Sequence, residues 1–524
     1  MTQGAKAHRA DRSQLAQLRA GSLEAAAALA PPDEHADLLA LLTDYYRHVP
    51  DEDVLTRPAQ FLLAALLSHR QLAERRAVGR AAVRVLTPGA EGGGRSGGHT
   101  VVEVVTDDMP FLVDSVTAEL TRVGRAIHLV VHPQLRVRRD AAGVLVQVLG
   151  RPVHDDGLPP APDEHVESWM HIEVDREPDA GVREQLADDL RRVLGDVRAA
   201  VEDFPAMRAT AQRLADELAS APPSGIDPVE VAETERLLRW LADDSFTFLG
   251  YREHLLDTDD GEDVLRAVPG TGLGILRQDR PDHRDRSGHD DELSRSFGRL
   301  PPAARARARE PHLLVLTKAN SRSTVHRPTY LDYLGIKTFD ADGAVSGERR
   351  FLGLFTSAAY TEGVTRVPIV DRKVAEVLRR TGFAPESHSG KDLLSVLESF
   401  PRDEIFQSEV QHLLDTAMGV LQLQERRRTR LFLRRDEYGR FMSCLVFVPR
   451  DRYNTAVRLR VESVLMEALN GTSVEYATRV SESVLARMHL VVRAPAGQMP
   501  PDVDVDQLEA RLVAAIRTWE EDLA

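Results

Sequence analysis

Cysteine is all but missing. Cys444 is the only one in 524 residues, which excludes an internal disulfide framework and any multi-cysteine zinc site. Lysine is scarce as well: Lys6, Lys318, Lys337, Lys373 and Lys391 are the only ones among 67 basic side chains. A lysine-based Schiff-base or phosphoryl-transfer site therefore has few candidates, and the arginine bias, with abundant Ala and Val, reads as a GC-rich coding history. No apolar run approaches the roughly 20 residues that cross a bilayer, and the start Met1-Thr2-Gln3-Gly4 has no apolar leader core. The expectation is a cytoplasmic protein with no membrane partner. Positive charge is in deficit, 67 basic against 82 acidic side chains and a net charge of −15. Phosphate backbones are repelled on average, and with aromatics at 5% stacking platforms are few, so no nucleic-acid partner is expected.

What is present is an ordinary globular composition, 42% hydrophobic and 28% charged, over a length that suggests three or four domains. Polar, Gly/Pro-rich stretches at 87–98, 151–163, 221–228 and 277–311 read as joints. Residues 1–84 read as a helical region, with Leu38, Leu39, Leu41, Leu42 and Tyr45 at helical spacing. In 85–220, Thr100 to Val105 is a strand. Leu112, Val116, Leu120 and Val123 stripe a helix. Ile127 to Val137 alternates as one long strand, Val144 to Leu149 is its hairpin partner, Met170, Ile172 and Val174 alternate in a further strand, and Val182 to Val197 stripe a second helix. That is an α+β sandwich with helices on one face of an antiparallel sheet. The same logic recurs in 405–524. Strands at 431–435 and 441–448 precede a helix that stops at Asn470-Gly471; strands at 473–479 and 484–492 precede a last helix striped by Val505, Leu508, Leu512, Ile516, Trp519 and Leu523. That last stripe runs almost to Ala524 without a stop signal, so the pattern is expected to be the front of a longer polypeptide. Between the two, 228–385 reads as a mixed α/β, sensor-type domain.

Most motif-like features have plain explanations. Gly92-x-Gly94-x-x-Gly97 matches the dinucleotide fingerprint in spacing but precedes a strand rather than a helix, so no cofactor site is expected. Gly270 to Gly274 reads as a turn, and Gly390-Lys391-Asp392 lacks most of a phosphate loop. His128 and His132 on one strand would be about 13 Å apart at roughly 3.3 Å per residue, too far for two ligands of one metal; His283 and His289 have no fitting companions, so no metal site is expected. No Gly-x-Ser-x-Gly elbow occurs, and Cys444 in an apolar strand reads as a structural thiol.

Two segments stand above this background. In the first, Asp108, Met109, Phe111, Asp114 and Ser115 mark a strand-to-helix junction where Asp108 can cap free N–H groups; the same donors are suited to a small ligand's charged group. In the second, Lys318, Asn320, Arg322 and His326 offer donors able to grip a carboxylate or phosphate, or else form a solvated crossover between strands.

The blocks MPFLVDSVTAEL (109–120), LLVLTKANSRSTVHRPTYLDYLGIK (313–337), RFLGLFTSAAY (350–360), FPRDEIFQ (400–407) and RYNTAVRLRV (452–461) resemble, in collinear order, the N-terminal segment of the large bacterial NAD-specific glutamate dehydrogenases. The resemblance implies a regulatory region: an ACT-like domain near 85–220, a PAS-like domain near 228–385 and a second ACT-like domain near 405–524. It also implies a catalytic domain further along that oxidises glutamate with NAD. No position here matches a catalytic lysine or cofactor fingerprint of that family, so this chain is expected to bind no NAD itself and to be inactive alone. It is expected to bind an amino-acid effector and to form a homo-oligomer or contact the catalytic portion. The alternative is a free-standing ACT-domain adaptor for amino acids or a separate catalytic subunit. A third reading, an enzyme in the middle domain, needs a pocket uniting Lys318, Arg322 and His326.

Overall fold

A computed structural model describes residues 3–88, 98–151, 163–259, 262–277, 293–294, 309–423, 426–480, 483–495 and 497–517. The Gly92–Gly97 motif, His283, His289, Trp519 and Leu523 lie outside them. The chain divides into two units: Met1–Asp203 with Ser321–Tyr330, and Phe204–Asn320 with Leu331–Ala524.

The first unit begins with helices α1 (Gln3–Ala27), α2 (His35–Tyr45), α3 (Asp51–Leu55) and α4 (Ala59–Ala73). The residues that follow, expected to continue the helical region, instead form an edge strand, β1 (Ala82–Leu86), because Val83 and Val85 alternate and pair antiparallel with β2 (Thr100–Asp107). After α5 (Leu112–Arg122) come β3 (Ile127–Val131), β4 (Gln134–Arg139), β5 (Leu145–Gly150) and β6 (Glu164–Val174), then α6 (Ala180–Ser220), whose first half, to Asp203, belongs here. The sheet order is β1-β2-β6-β4-β5, with β3 also pairing β6. The single strand expected over Ile127 to Val137 is two, broken at His132-Pro133, since proline has no N–H for a ladder.

The expected one-sided sandwich needs a larger correction. Cross-strand partners share a face, and Leu129 stands opposite Glu173 while Val131 stands opposite His171. The apolar residues of β3 and β4 therefore point away from Met170, Ile172 and Val174 of β6. Leu129, Val131, Leu135 and Val137 join Val105 and Trp169 in a core with Leu38, Leu42, Tyr45, Leu62 and Leu66 of α2 and α4. On the other face Val102, Val104, Met170 and Ile172 are equally buried, as are the stripes Val116 and Leu120 of α5 and Leu190, Val193 and Val197 of α6. Helices thus cover both faces, and polar residues of the central strands β2 and β6, among them Glu103, Glu167 and His171, are buried too, whereas His128 of β3 and Gln134 of β4 are exposed. Tyr45 Oη and His69 Nδ1 are 2.9 Å apart, and His69 Nε2 is 3.1 Å from the Val104 carbonyl. The carbonyl can only accept, so Nε2 carries the proton, Nδ1 accepts from the phenol, and burial lowers the His69 pKa to about 4.

The β4–β5 turn requires its glycine. Gly143 has φ +79, and a Cβ there would sit 2.2 Å from the Arg76 carbonyl oxygen, while its own carbonyl accepts from Arg76 N at 3.0 Å and Arg139 Nη1 at 2.9 Å. Gly143→Ala is expected to cost more than the roughly 1–2 kcal/mol of the left-handed backbone alone, seen as a lower denaturant midpoint.

In the second unit, α7 (Pro228–Trp240), capped by the Asp227 side chain, leads through a short π-helical turn to β7 (Phe246–Asp259), β8 (Glu262–Ala267), β9 (Leu273–Gly274), β10 (Leu293–Ser294), β11 (Leu314–Arg322), β12 (Tyr330–Phe339) and β13 (Val345–Phe355). The sheet order is β10-β8-β7-β13-β12-β11, with β9 on β7. Helices α8 (Ser357–Thr361), α9 (Val370–Thr381), α10 (His388–Ser399), α11 (Arg402–Gln407) and α12 (Val410–Leu421) follow. Then come β14 (Arg430–Arg435), β15 (Phe441–Pro449), α13 (Thr455–Ala468), β16 (Ser473–Arg479), β17 (Leu485–Arg493) and α14 (Val505–Ile516). The last four strands form an antiparallel sheet, β14-β15-β17-β16. One face packs on α13 and α14 through Cys444, Val446, Val461, Leu465, Leu490, Leu512 and Ile516. The other, through Leu445, Phe447 and Leu485, shares a core with Phe246, Phe351, Val374, Leu397 and Ile405. At the expected helix stop, Asn470 takes the left-handed φ of +50, while Gly471 supplies space where a Cβ would meet Val492 at 2.4 Å. Val505, expected in the apolar stripe of the last helix, is 40% exposed at its first turn.

Candidate functional site

The first segment singled out in the sequence meets the Arg322–His326 part of the second inside the first unit. β2 ends at Asp107, and Asp108 turns the chain, its N–H donating to the Val166 carbonyl and its Oδ2 accepting from Gln134 Nε2 at 3.0 Å. It does not cap α5, as expected of it; the capping position is Phe111, at φ +72 and without a side-chain cap. Met109 is half-buried. Ser115 Oγ donates to the Phe111 carbonyl at 2.6 Å and accepts from the His326 N–H at 2.9 Å. His326 Nδ1 is 3.1 Å from Asp114 Oδ2, and its ring lies 4.9 Å from that of Phe111. His326 is itself left-handed, at φ +68. Two non-glycine residues in this region, each costing about 1–3 kcal/mol, are held by each other. Nearby, Thr324 Oγ1 donates to Asp196 at 2.7 Å, and Arg322 lies over the Tyr330 ring at 5.0 Å with Nη1 on the Pro328 carbonyl. These donors are taken up by the protein itself.

Lys318 and Asn320 belong to the second unit. The Lys318 ammonium sits 2.5 Å from Asp332 and 3.1 Å from Asp403. Burial alone would lower its pKa, but the two carboxylates hold it well above the usual lysine range. Lys318 is thus a neutralised internal cation rather than a free donor, and Asn320 is exposed on β11. Of the three residues expected to unite in a pocket, Lys318 lies in the second unit with its ammonium paired to carboxylates, and Arg322 and His326 lie in the first. His128 is paired to Asp175 at 2.8 Å and His132 to Ser168 at 2.5 Å. Among the described residues no cluster of three or more His, Cys, Asp or Glu is arranged to hold a metal.

Sequence reasoning missed a cleft of about 880 Å³ in the second unit, bounded by α7, the β11 edge, α9, the start of α12 and the β14–β15 hairpin. Lys337 reaches it, buried and donating to the Glu310 carbonyl at 2.8 Å; burial lowers its pKa although Glu348, Glu310, Glu230 and Glu437 act to raise it. Lys373 donates to the carbonyls of Ile405, Phe406 and Ser408 at 3.2, 2.6 and 2.8 Å. Burial first, then Arg434, lowers its pKa to about 8. The Tyr438 phenol on the hairpin is pushed up by burial. With Arg372 and Glu409 also in the wall, both charge signs face one space, which suits a zwitterion. Of the five lysines in this arginine-rich chain, Lys337 and Lys373 line the cleft, while Lys318 is an internal cation outside it.

Antiparallel sheets with helices packed along them, one in each unit, are matched by ACT-domain descriptions. "Glutamate dehydrogenase, ACT1 domain" covers residues 41–190, and "Glutamate dehydrogenase, ACT2 domain" covers 430–520, the β14–β17 sheet and its helices. This is an ACT-domain protein. "Glutamate dehydrogenase, helical motif 1" covers 367–426, which holds α9 to α12. Along most of its length the chain is similar to NAD-specific glutamate dehydrogenases: 40% identical over 491 residues to that of Halomonas elongata (94% of this chain, 29% of the relative), 41% over 474 to that of Pseudomonas aeruginosa (90% and 28%), and 33% over 475 to that of Mycobacterium tuberculosis (88% and 27%). The chain belongs to the family of the large NAD-specific glutamate dehydrogenases. It spans less than a third of the length of these relatives. No helix among the described residues is long and apolar enough to cross a membrane.

Proposed function

We propose that this chain is the regulatory and assembly portion of an NAD-dependent glutamate dehydrogenase. It senses an amino acid, while the oxidation of glutamate to 2-oxoglutarate and ammonia is carried by sequence outside these residues. The middle sheet is then a PAS-like sensor module, and further copies of the chain or the catalytic portion are its partners. The observation that carries the reading is the mixed-charge cleft. Its walls come from the helical segment matched as helical motif 1 and from the hairpin of the sheet matched as ACT2, so one bound molecule touches both. A ligand that prefers one packing of these elements over another shifts their equilibrium by the difference in its affinities, and such coupling is typically about 1–3 kcal/mol. The carboxylate of an amino acid fits beside Lys337 and Tyr438, and its ammonium beside Glu230 or Glu409.

Titration calorimetry against each common amino acid tests this. At least one is expected to bind, and Lys337→Met with Tyr438→Phe is expected to weaken it about tenfold or more, for the loss of two hydrogen bonds to the ligand carboxylate. Unchanged affinity in that double variant removes the cleft from the account; no heat with any amino acid contradicts the sensing role.

A further inference from the structure

At the edge of the sheet matched as ACT2, three arginines converge without enough acid among the described residues to balance them. Arg487 on β17 stands directly across from Arg479 on the edge strand β16. Arg402 at the start of α11 is 4% exposed, and it and Arg479 are the charges that bear on Arg487. On its other side Arg487 faces Phe447 of β15, which offers no acceptor. Its Nε and Nη1 are buried with no hydrogen-bond partner, and so is Nε of Arg402.

The acid paired with Arg402 is already committed. Glu398 gives one carboxylate oxygen to Arg402 Nη2 at 3.0 Å and the other to the Val364 N–H at 2.9 Å. The remaining acceptors are main-chain carbonyls: Glu362 and Glu398 for Arg402, at 2.7 and 3.4 Å, and Glu398 and Ser399 for Arg479, at 3.5 and 3.4 Å. Among the described residues no carboxylate pairs with Arg479 or Arg487. Burial and then the two neighbouring cations lower the Arg487 pKa to about 10, the direction expected of a guanidinium held where its charge is unanswered.

A buried guanidinium without a partner is costly, and its planar fork of donors matches a carboxylate or phosphate. Packing alone gives no reason to place a charged side chain at position 487, since Ala486 and Met488 on either side of it supply the apolar contacts of the opposite face. We infer that Arg402, Arg479 and Arg487 form an oxyanion site at the β16 edge, taking the carboxylate or phosphate group of a small anionic ligand. The site is separate from the cleft proposed above for an amino acid, shares no residue with it, and stands or falls independently.

The test uses the whole chain, with inorganic phosphate and succinate as separate probes and chloride at matched ionic strength as the reference. At least one probe is expected to raise the thermal midpoint in a saturable way, phosphate alone pointing to a phosphate ligand and succinate alone to a carboxylate one. The variant R479M/R487M is expected to bind that probe about tenfold or more weakly, as for loss of charge-assisted hydrogen bonds. Its midpoint without probe is expected to equal or exceed that of the native chain, because two unanswered charges are gone; a structural role would lower it. If neither probe exceeds chloride, or if the variant keeps the native probe shift, the inference is overturned. Far-UV circular dichroism of the variant establishes that it is folded, and R479K/R487K, which keeps the charge but loses the fork, is expected to bind between the two.

Discussion

Glu167→Ala is expected to destabilise the first unit by about 3–5 kcal/mol, the range for removing one partner of a buried charge network. The carboxylate is fully buried and accepts from Arg76 Nε and Nη2 at 2.9 and 2.7 Å, from Arg139 Nε and Nη2 at 2.6 and 3.0 Å, and from Trp169 Nε1 at 3.1 Å. Arg76 retains Asp107 at 2.5 Å. Arg139, with no exposed side-chain surface, would be left with the carbonyls of Ala73 and Gly143. Because Ala73 closes α4 and Arg139 closes β4, the network fastens the helical layer to the sheet. Trp169, one of three tryptophans, reports on it directly, so denaturant unfolding followed by fluorescence gives the value. A loss below about 1 kcal/mol, the worth of an exposed ion pair, would mean that Arg139 finds another acid.

Glu404 in FPRDEIFQ is expected to have an effect of similar size in the second unit, with a pH signature. It accepts from the guanidinium of Arg434 and the hydroxyl of Ser443, and lies 3.3 Å from His489 Nε2. It thereby docks α11 on the β14–β15–β17 face. Burial alone would raise its pKa, but Arg434 and then His489 hold it well below the ordinary carboxylate range. A carboxyl depressed in the folded state stabilises fully above its unfolded pKa, about 4.3, and that stability is lost as the pH falls toward the folded value. Glu404→Gln is therefore expected to cost about 3 kcal/mol or more at neutral pH, with the gap to the native chain narrowing below about pH 4.3. Thermal melts of both proteins across that range measure it. A gap independent of pH would contradict the assignment of the cost to charge.

These residues also show where reading the sequence stopped. The stripe of α5 and the strand alternation at 129–137 were legible because one face of each is apolar. The alternation of Met170, Ile172 and Val174 in a further strand suggested that their polar neighbours faced water. In the folded sheet a second helical layer covers that side, so His171 is buried at 3% exposure and Glu103 at 0%, Glu103 answered by Arg84 from the neighbouring strand at 3.0 Å. Such long-range pairing leaves no local pattern. The break at Pro133 was readable in principle from its missing N–H, and β1 was hidden in a short run after four helices. The segments around Phe111 and His326 were each visible as unusual, but their union depends on a loop from between β11 and β12 that belongs to the first unit. The cleft was invisible because Lys337, Lys373 and Tyr438 come from three separate elements.

The most direct test of the regulatory reading is hydride transfer. The purified 524-residue chain, shown to be folded, is mixed with glutamate and NAD, and the absorbance of NADH is followed. No NADH above the enzyme-free rate is predicted; sustained, glutamate-dependent NADH formation that scales with the amount of this chain would contradict the account.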